Sequence, residues 1–98
     1  MKRYKGRILA SAYNDLKQAR AWYKQHNADL PKRFSQQINL SIERIRETPF
    51  AHAIRYKETR IANINISPYA IHYLLKNEAV IIIAIHHIAI SPERWTDR

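Results

Sequence analysis

Two adjacent histidines at the end of a hydrophobic run, His86 and His87, are the side chains in this sequence best suited to moving protons near neutral pH. Adjacent strand positions point to opposite faces, so the two cannot act on one atom together. One should face the helices as a hydrogen-bonded core histidine, and the other solvent or a binding cleft. Adding His72 raises the idea of a metal site, but no cysteine or carboxylate accompanies these histidines at ligand spacing, and no metal or other cofactor is expected. The cations Arg55, Lys57 and Arg60 cluster within six positions and could meet a phosphate or an acidic partner. Tyr69 and Tyr73 share one face of a strand-like run. They read either as a stacking platform for bases or as core aromatics with hydroxyls at the rim. Trp95, close to Arg94 and Arg98, has the character of an anchor for a partner surface, though docking on its own core would use the same ring.

The elements that must position these groups follow from periodicity. Tyr4 to Leu9 reads as a short opening strand weakened by Gly6, which an edge or bulge tolerates. From Ser11, the expected N-cap, to about His26, Ala12, Leu16, Ala19 and Tyr23 recur at helical spacing with Lys17, Arg20 and Lys24 between them. Asn27, Ala28 and Asp29 interrupt the pattern. Leu30-Pro31 then restarts a second helix with the apolar stripe Phe34, Ile38, Ile42 and Ile45, ended by Pro49. Phe50 to Glu58 reads as a connector. Beyond it, Ala62, Ile64 and Ile66 alternate with Asn63 and Asn65, Ser67-Pro68 marks a break, and Tyr69 to Leu75 makes a second strand. Lys76-Asn77-Glu78 is a hairpin loop, and Val80 to Ile85 is a branched aliphatic run expected to form a central strand buried on both faces. The expectation is an α+β fold: an N-terminal strand and a helical hairpin packed on a small antiparallel sheet of about four strands, in one domain over residues 1–98.

Composition narrows the function. Seventeen Lys and Arg against eight Asp and Glu give a formal net charge of +9, which favours RNA, DNA or an acidic protein segment as partner. With no cysteine there is no disulfide framework, thiol nucleophile or thiolate metal site, as suits a reducing cytoplasm. A single glycine excludes the phosphate-cradling loops of P-loop and Rossmann sites. The basic start Met-Lys-Arg-Tyr-Lys-Gly-Arg is followed by Ser11, Asn14, Asp15 and Lys17 and not by an apolar run. Neither a signal peptide nor a membrane partner is expected.

The order strand, helix, helix, strands carries a set of local patterns. They are Ala12-x-x-Asp15-Leu16 entering the first helix, Arg33-Phe34 in the second, Pro49 closing it, Pro68-Tyr69-x-Ile71-x-Tyr73, a hydrophobic strand ending in His87, and a proline before Trp95 and Arg98. In this combination the chain resembles, over nearly its whole length, the RelE/ParE superfamily of toxins from bacterial type II toxin–antitoxin systems. The resemblance implies a cytoplasmic, stress-related or plasmid-stabilising toxin neutralised by a smaller antitoxin, with a homodimer inside that complex as a further expectation. ParE-like members poison DNA gyrase by binding, whereas RelE-like members cut messenger RNA on the ribosome.

Metal-free RNA cleavage needs a base for the 2′-hydroxyl, cations for the charged phosphate and an acid for the leaving oxygen. Where RelE-like enzymes carry an arginine before the Tyr-x-Ile-x-Tyr-like strand this chain has Asn65. Where they carry basic residues after the last strand it has Ile88, Ala89 and Ile90. Each cation lost at a developing phosphate charge costs about 3 kcal/mol, roughly a hundredfold in rate. The ParE-like reading is therefore preferred, with Arg60, Tyr73, His87, Ile88, Ile90, Arg94, Trp95 and Arg98 as candidate contacts for target or partner. Arg55, Arg60 and His87 are the residues a ribonuclease would use. An inactive toxin that only binds antitoxin is the remaining alternative.

Overall fold

The computed structural model describes residues 4–64 and 67–89. Strand β1 (Lys5–Ile8) leads into helices α1 (Ala10–His26) and α2 (Leu30–Glu47). A 3-10 turn (Pro49–Ala51) follows, then strands β2 (Ile54–Tyr56), β3 (Thr59–Asn63), β4 (Tyr69–Lys76) and β5 (Ala79–His87). The sheet runs β1-β5-β4-β3-β2, with β1 parallel to β5 and every other pair antiparallel. The expected sheet of about four antiparallel strands is thus corrected to five in a mixed sheet. The additional strand is β2, hidden in the supposed connector because three residues are too few to show an alternation. Lys57, at a φ of 50, turns the chain so that Tyr56 pairs with Thr59.

The α2 stripe read from the sequence is buried, whereas the α1 stripe is buried at Ala12 and Ala19 and half-buried at Leu16 and Tyr23. Ala12 and Ala19 of α1 and Phe34, Ile38, Ile42 and Ile45 of α2 pack with Ile71, Tyr73, Val80, Ile82 and Ile85 of the sheet. Strand β5 does not fit the expectation of burial on both faces throughout. Over its first five residues buried and half-buried positions alternate, and continuous burial begins only at Ala84. A register shift opposite His72 and Tyr73 intervenes: His72 pairs with Ala84 but Tyr73 with Ile82, leaving Ile83 as the bulged residue. The bulge moves the helix-facing set from Val80 and Ile82 to Ile85 and His87. The β4–β5 loop is Asn77-Glu78 with φ of 51 and 62, a left-handed pair matching the twist of a tight hairpin.

Ser11 is not the helix cap. Helix α1 starts at Ala10 behind Leu9, with no side-chain cap bond. Ser11 Oγ donates instead to the Ile83 carbonyl, the Leu9 amide donates to the Ile82 carbonyl, and Asp15 Oδ2 accepts from the Ile85 amide at 3.0 Å. Strand β1 pairs with β5 only as far as Ile82. The first turns of α1 therefore satisfy the β5 edge where β1 runs out, which gives Asp15 a structural role. Gly6 gives room to Arg46: a Cβ there would stand 3.0 Å from Arg46 Cδ. Arg46 Nε donates to the Tyr4 carbonyl at 2.7 Å, joining the end of α2 to the start of β1.

Candidate functional site

The cations singled out from the sequence fall on two different faces of the sheet. Arg60 stands opposite Tyr73, a core residue beneath the helices, so it belongs to the helix-bearing face. One of its guanidinium nitrogens donates to the His52 carbonyl, and its Cζ lies 5.1 Å from the centre of the Phe50 ring. Phe50, 65% exposed, also meets Tyr4 edge-on. Arg55 is exposed and lines a cleft on the opposite face, where the irregular pairing between Ile54 and Tyr56 lets the neighbouring Arg55 and Tyr56 both turn.

On that opposite face Arg55, Asn63, His72, His86, His87 and Ile88 help to line a cleft of about 140 Å³. His72 is 1% and His86 8% exposed, and their rings meet perpendicularly with centroids 5.0 Å apart. Tyr56 Oη lies 2.8 Å from His72 Nδ1, a hydrogen bond across the sheet. Phenol and two imidazoles thus form a continuous string below Arg55. From the sequence His86 reads as a proton-transfer candidate facing either core or cleft and His72 only as a possible metal ligand, while Tyr56 carries no assigned role. The available signal was register: once β4 and β5 are paired, Ala70 stands opposite His86 and His72 lies two residues further along the same face. Among the described residues, no group of three or more ligating side chains is placed to hold a metal ion.

His86 and His87 do point to opposite faces, but not as expected. The buried one, His86, faces away from the helices. His87 is half-buried on the helix side, its ring 5.3 Å from that of Tyr69 and its Nδ1 accepting from the Ala89 amide at 3.0 Å. Tyr73 is fully buried and donates its hydroxyl to the Pro49 carbonyl at 2.7 Å, which removes it from any contact surface in this state. Burial pushes its phenol pKa up, against a lowering by the nearby Arg60 charge. Tyr69 is also raised, by burial and then by Tyr23. Tyr69 and Tyr73 are therefore both engaged with the core, where Tyr69 meets Tyr23 and Phe34. Ile88 is 61% exposed, with its amide bonded to the Pro68 carbonyl at 2.7 Å. Ile90, Arg94, Trp95 and Arg98 lie outside the described residues.

A second concavity, about 450 Å³, opens between α2 and β3 and is lined by Arg44, Ile45, His52, Ala62, Asn63 and Ile64 among others. The catalytic trio expected of a ribonuclease, Arg55, Arg60 and His87, does not converge: Arg60 is tethered on one face while Arg55 lines the cleft on the other. Among the described residues no helix is long and apolar enough to cross a membrane.

A helical hairpin on one face of a five-stranded mixed sheet, with a histidine-lined cleft on the other, places the chain among small α+β proteins. Residues 7–91 match the family model described as the ParE toxin of the type II toxin–antitoxin system parDE, and the chain belongs to that family. Among solved structures it is similar to a chain of the chromosomal ParDE toxin–antitoxin system from P. aeruginosa, with a TM-score of 0.75 at 15% identity, covering 86% of this chain and 95% of that one. No curated protein matches the sequence.

Proposed function

We propose that this ParE-family chain arrests growth in the cytoplasm by binding and poisoning DNA gyrase, and that a cognate antitoxin neutralises it. The observation that carries a binding mode over a hydrolytic one is the separation of Arg55 from Arg60 across the sheet. A phosphoryl transition state needs its cations on one side, at one atom group. The Arg60 guanidinium, over the Phe50 ring and bonded to the His52 carbonyl, is already engaged on the helix-bearing face and less available to a developing phosphate charge. The similar structure from a chromosomal ParDE system supports an antitoxin as partner. The test is a plasmid supercoiling assay with antitoxin-free protein. Loss of supercoiling with accumulated cleaved DNA is the expected result, and full gyrase activity at large molar excess of the protein would reject this target.

One observation favours a second reading, ribosome-dependent RNA cleavage. Tyr56, His72 and His86 put two imidazoles and a phenol beside a cleft that Arg55 also lines. Under this reading Arg55→Ala and His72→Gln each abolish cleavage of ribosome-bound messenger RNA. Intact RNA with the unaltered protein rejects it.

A further inference from the structure

The charges of this chain are segregated along its length, and the hairpin of α1 and α2 carries the cationic end. Lys17, Arg20 and Lys24 of α1 are exposed, as are Lys32 and Arg33 just across the Asn27–Asp29 turn. At about 100° per residue, positions 13, 17, 20 and 24 fall within roughly 60° of arc, so Tyr13 and the three cations form one stripe along a flank of α1. From Lys17 to Lys24 the stripe runs about 10 Å along the axis. Acidic groups are scarce here. Asp15 is engaged by the Ile85 amide, which leaves Asp29 as the other carboxylate of the hairpin before Glu43. The four described glutamates gather at the opposite end: Glu43 pairs with Arg46, Glu47 follows in the same last turns of α2, Glu58 lies near Lys76, and the Glu78 carbonyl accepts from the Lys5 amide.

We propose that this flank of α1 is a docking surface for the phosphate backbone of duplex DNA, bound without sequence preference. Charge complementarity admits any polyanion, and it is the state of the aromatics that favours nucleic acid over an acidic protein. A protein contact of useful affinity buries an apolar centre inside a polar rim. Here the Tyr13 ring is overlaid by the Lys17 ammonium at 5.3 Å, so the stripe presents charge where such a centre would stand. Trp22, 49% exposed, is 280° of helical arc on from Ala12 by roughly 100° steps, on the other flank, and is itself stacked with His26 at 4.2 Å. A row of spaced, solvated cations with little apolar area between them is the footprint of backbone binding, in which released counterions supply the free energy. The surface does not depend on gyrase being the target; it would hold a toxin of any mechanism near DNA.

The test uses the full chain and a fluorescein-labelled 30-base-pair duplex of arbitrary sequence, followed by anisotropy from about 50 to 300 mM NaCl. The triple variant Lys17→Gln, Arg20→Gln, Lys24→Gln keeps good helix formers at each position. Three lost phosphate contacts flatten the plot of log K against log salt by about 2.7, from roughly 0.9 per contact, and weaken binding at least about tenfold near 100 mM salt. A control removing the same charge from the other end, Arg44→Gln, Lys57→Gln, Lys76→Gln, keeps the slope within about one unit of the unaltered protein. Circular dichroism must show both variants folded. Equal losses in the two variants would overturn the proposal in favour of diffuse net charge, as would an unchanged slope in the first. Displacement of the duplex by poly-glutamate as readily as by unlabelled DNA would overturn it in favour of an acidic protein partner.

Discussion

Tyr73→Phe isolates one hydroxyl in the middle of the fold. The ring is fully buried and its hydroxyl donates to the Pro49 carbonyl at 2.7 Å, so the change opens no carbon cavity and removes one hydrogen bond. A buried carbonyl left without its donor costs about 1–3 kcal/mol. Taking about 2 kcal/mol, and about 2.1 cal/mol/K of unfolding entropy per residue over 98 residues, the midpoint falls by roughly 10 °C. Urea or thermal denaturation followed by far-ultraviolet circular dichroism reads this directly. The pH dependence adds a second constraint. Burial raises the Tyr73 pKa in the folded state, so the folded chain holds its phenolic proton at a pH where the unfolded chain has lost it. The stability from this group is fully present below the unfolded value of about 10 and declines as pH rises through the folded value. The gap between the two proteins should therefore be constant below about pH 10 and narrow above it. Tyr69 is raised in the same direction but is present in both proteins, so it steepens both curves alike. A loss below about 0.5 kcal/mol at neutral pH, or a gap that widens above pH 10, would refute the reasoning.

Asp15→Ala removes the acceptor for the Ile85 amide at 3.0 Å and is expected to cost about 2 kcal/mol in urea denaturation, with faster amide exchange at Ile85. A loss within experimental error would mean that water takes over the bond. Ile38→Ala, at a position 1% exposed between the helices and the sheet, should cost about 2–5 kcal/mol, and a cost under about 1 would show a core able to collapse around the gap. Tyr56→Phe breaks the bond to His72 at 2.8 Å and should move the His72 imidazole resonances. Under the binding reading it leaves gyrase inhibition unchanged, so a large loss of inhibition would draw the cleft into target recognition.

Where the fold was legible, a strong periodicity carried it. The α2 stripe of Phe34, Ile38, Ile42 and Ile45 is buried as read, because four large apolar residues on one helix face have no alternative partner but the sheet. The parallel pairing of β1 with β5 was not legible. Lys5 to Ile8 is exposed along its whole length and carries no alternation, and its placement depends on contacts more than seventy positions away. Ser11 departs from its expected cap role for a related reason. A serine at the start of a helical pattern is a plausible cap, but the unpaired Ile83 carbonyl of the bulged β5 edge competes for the same hydroxyl, and only the assembled sheet brings that carbonyl near.

The candidate site shows the same division between local and register information. Arg55 and Arg60 are five positions apart, which on one unbroken strand would place them on opposite faces, yet the sequence groups them because Phe50 to Glu58 reads as a connector. The segment is in fact a hairpin turn, with an irregular step in pairing between Ile54 and Tyr56, and it still delivers the two guanidiniums to opposite sides. Conversely, Tyr56, His72 and His86 come from three separate strands, and no spacing rule links them. Their assembly depends on β4 lying between β3 and β5 in a register that aligns Ala70 with His86. Because side chains alternate with a period of two, a slip of one residue on β5 would turn the His86 ring toward the helices and the His87 ring away from Tyr69. A shift of that size would change the chemistry of the cleft while leaving composition, charge and helix pattern as they are.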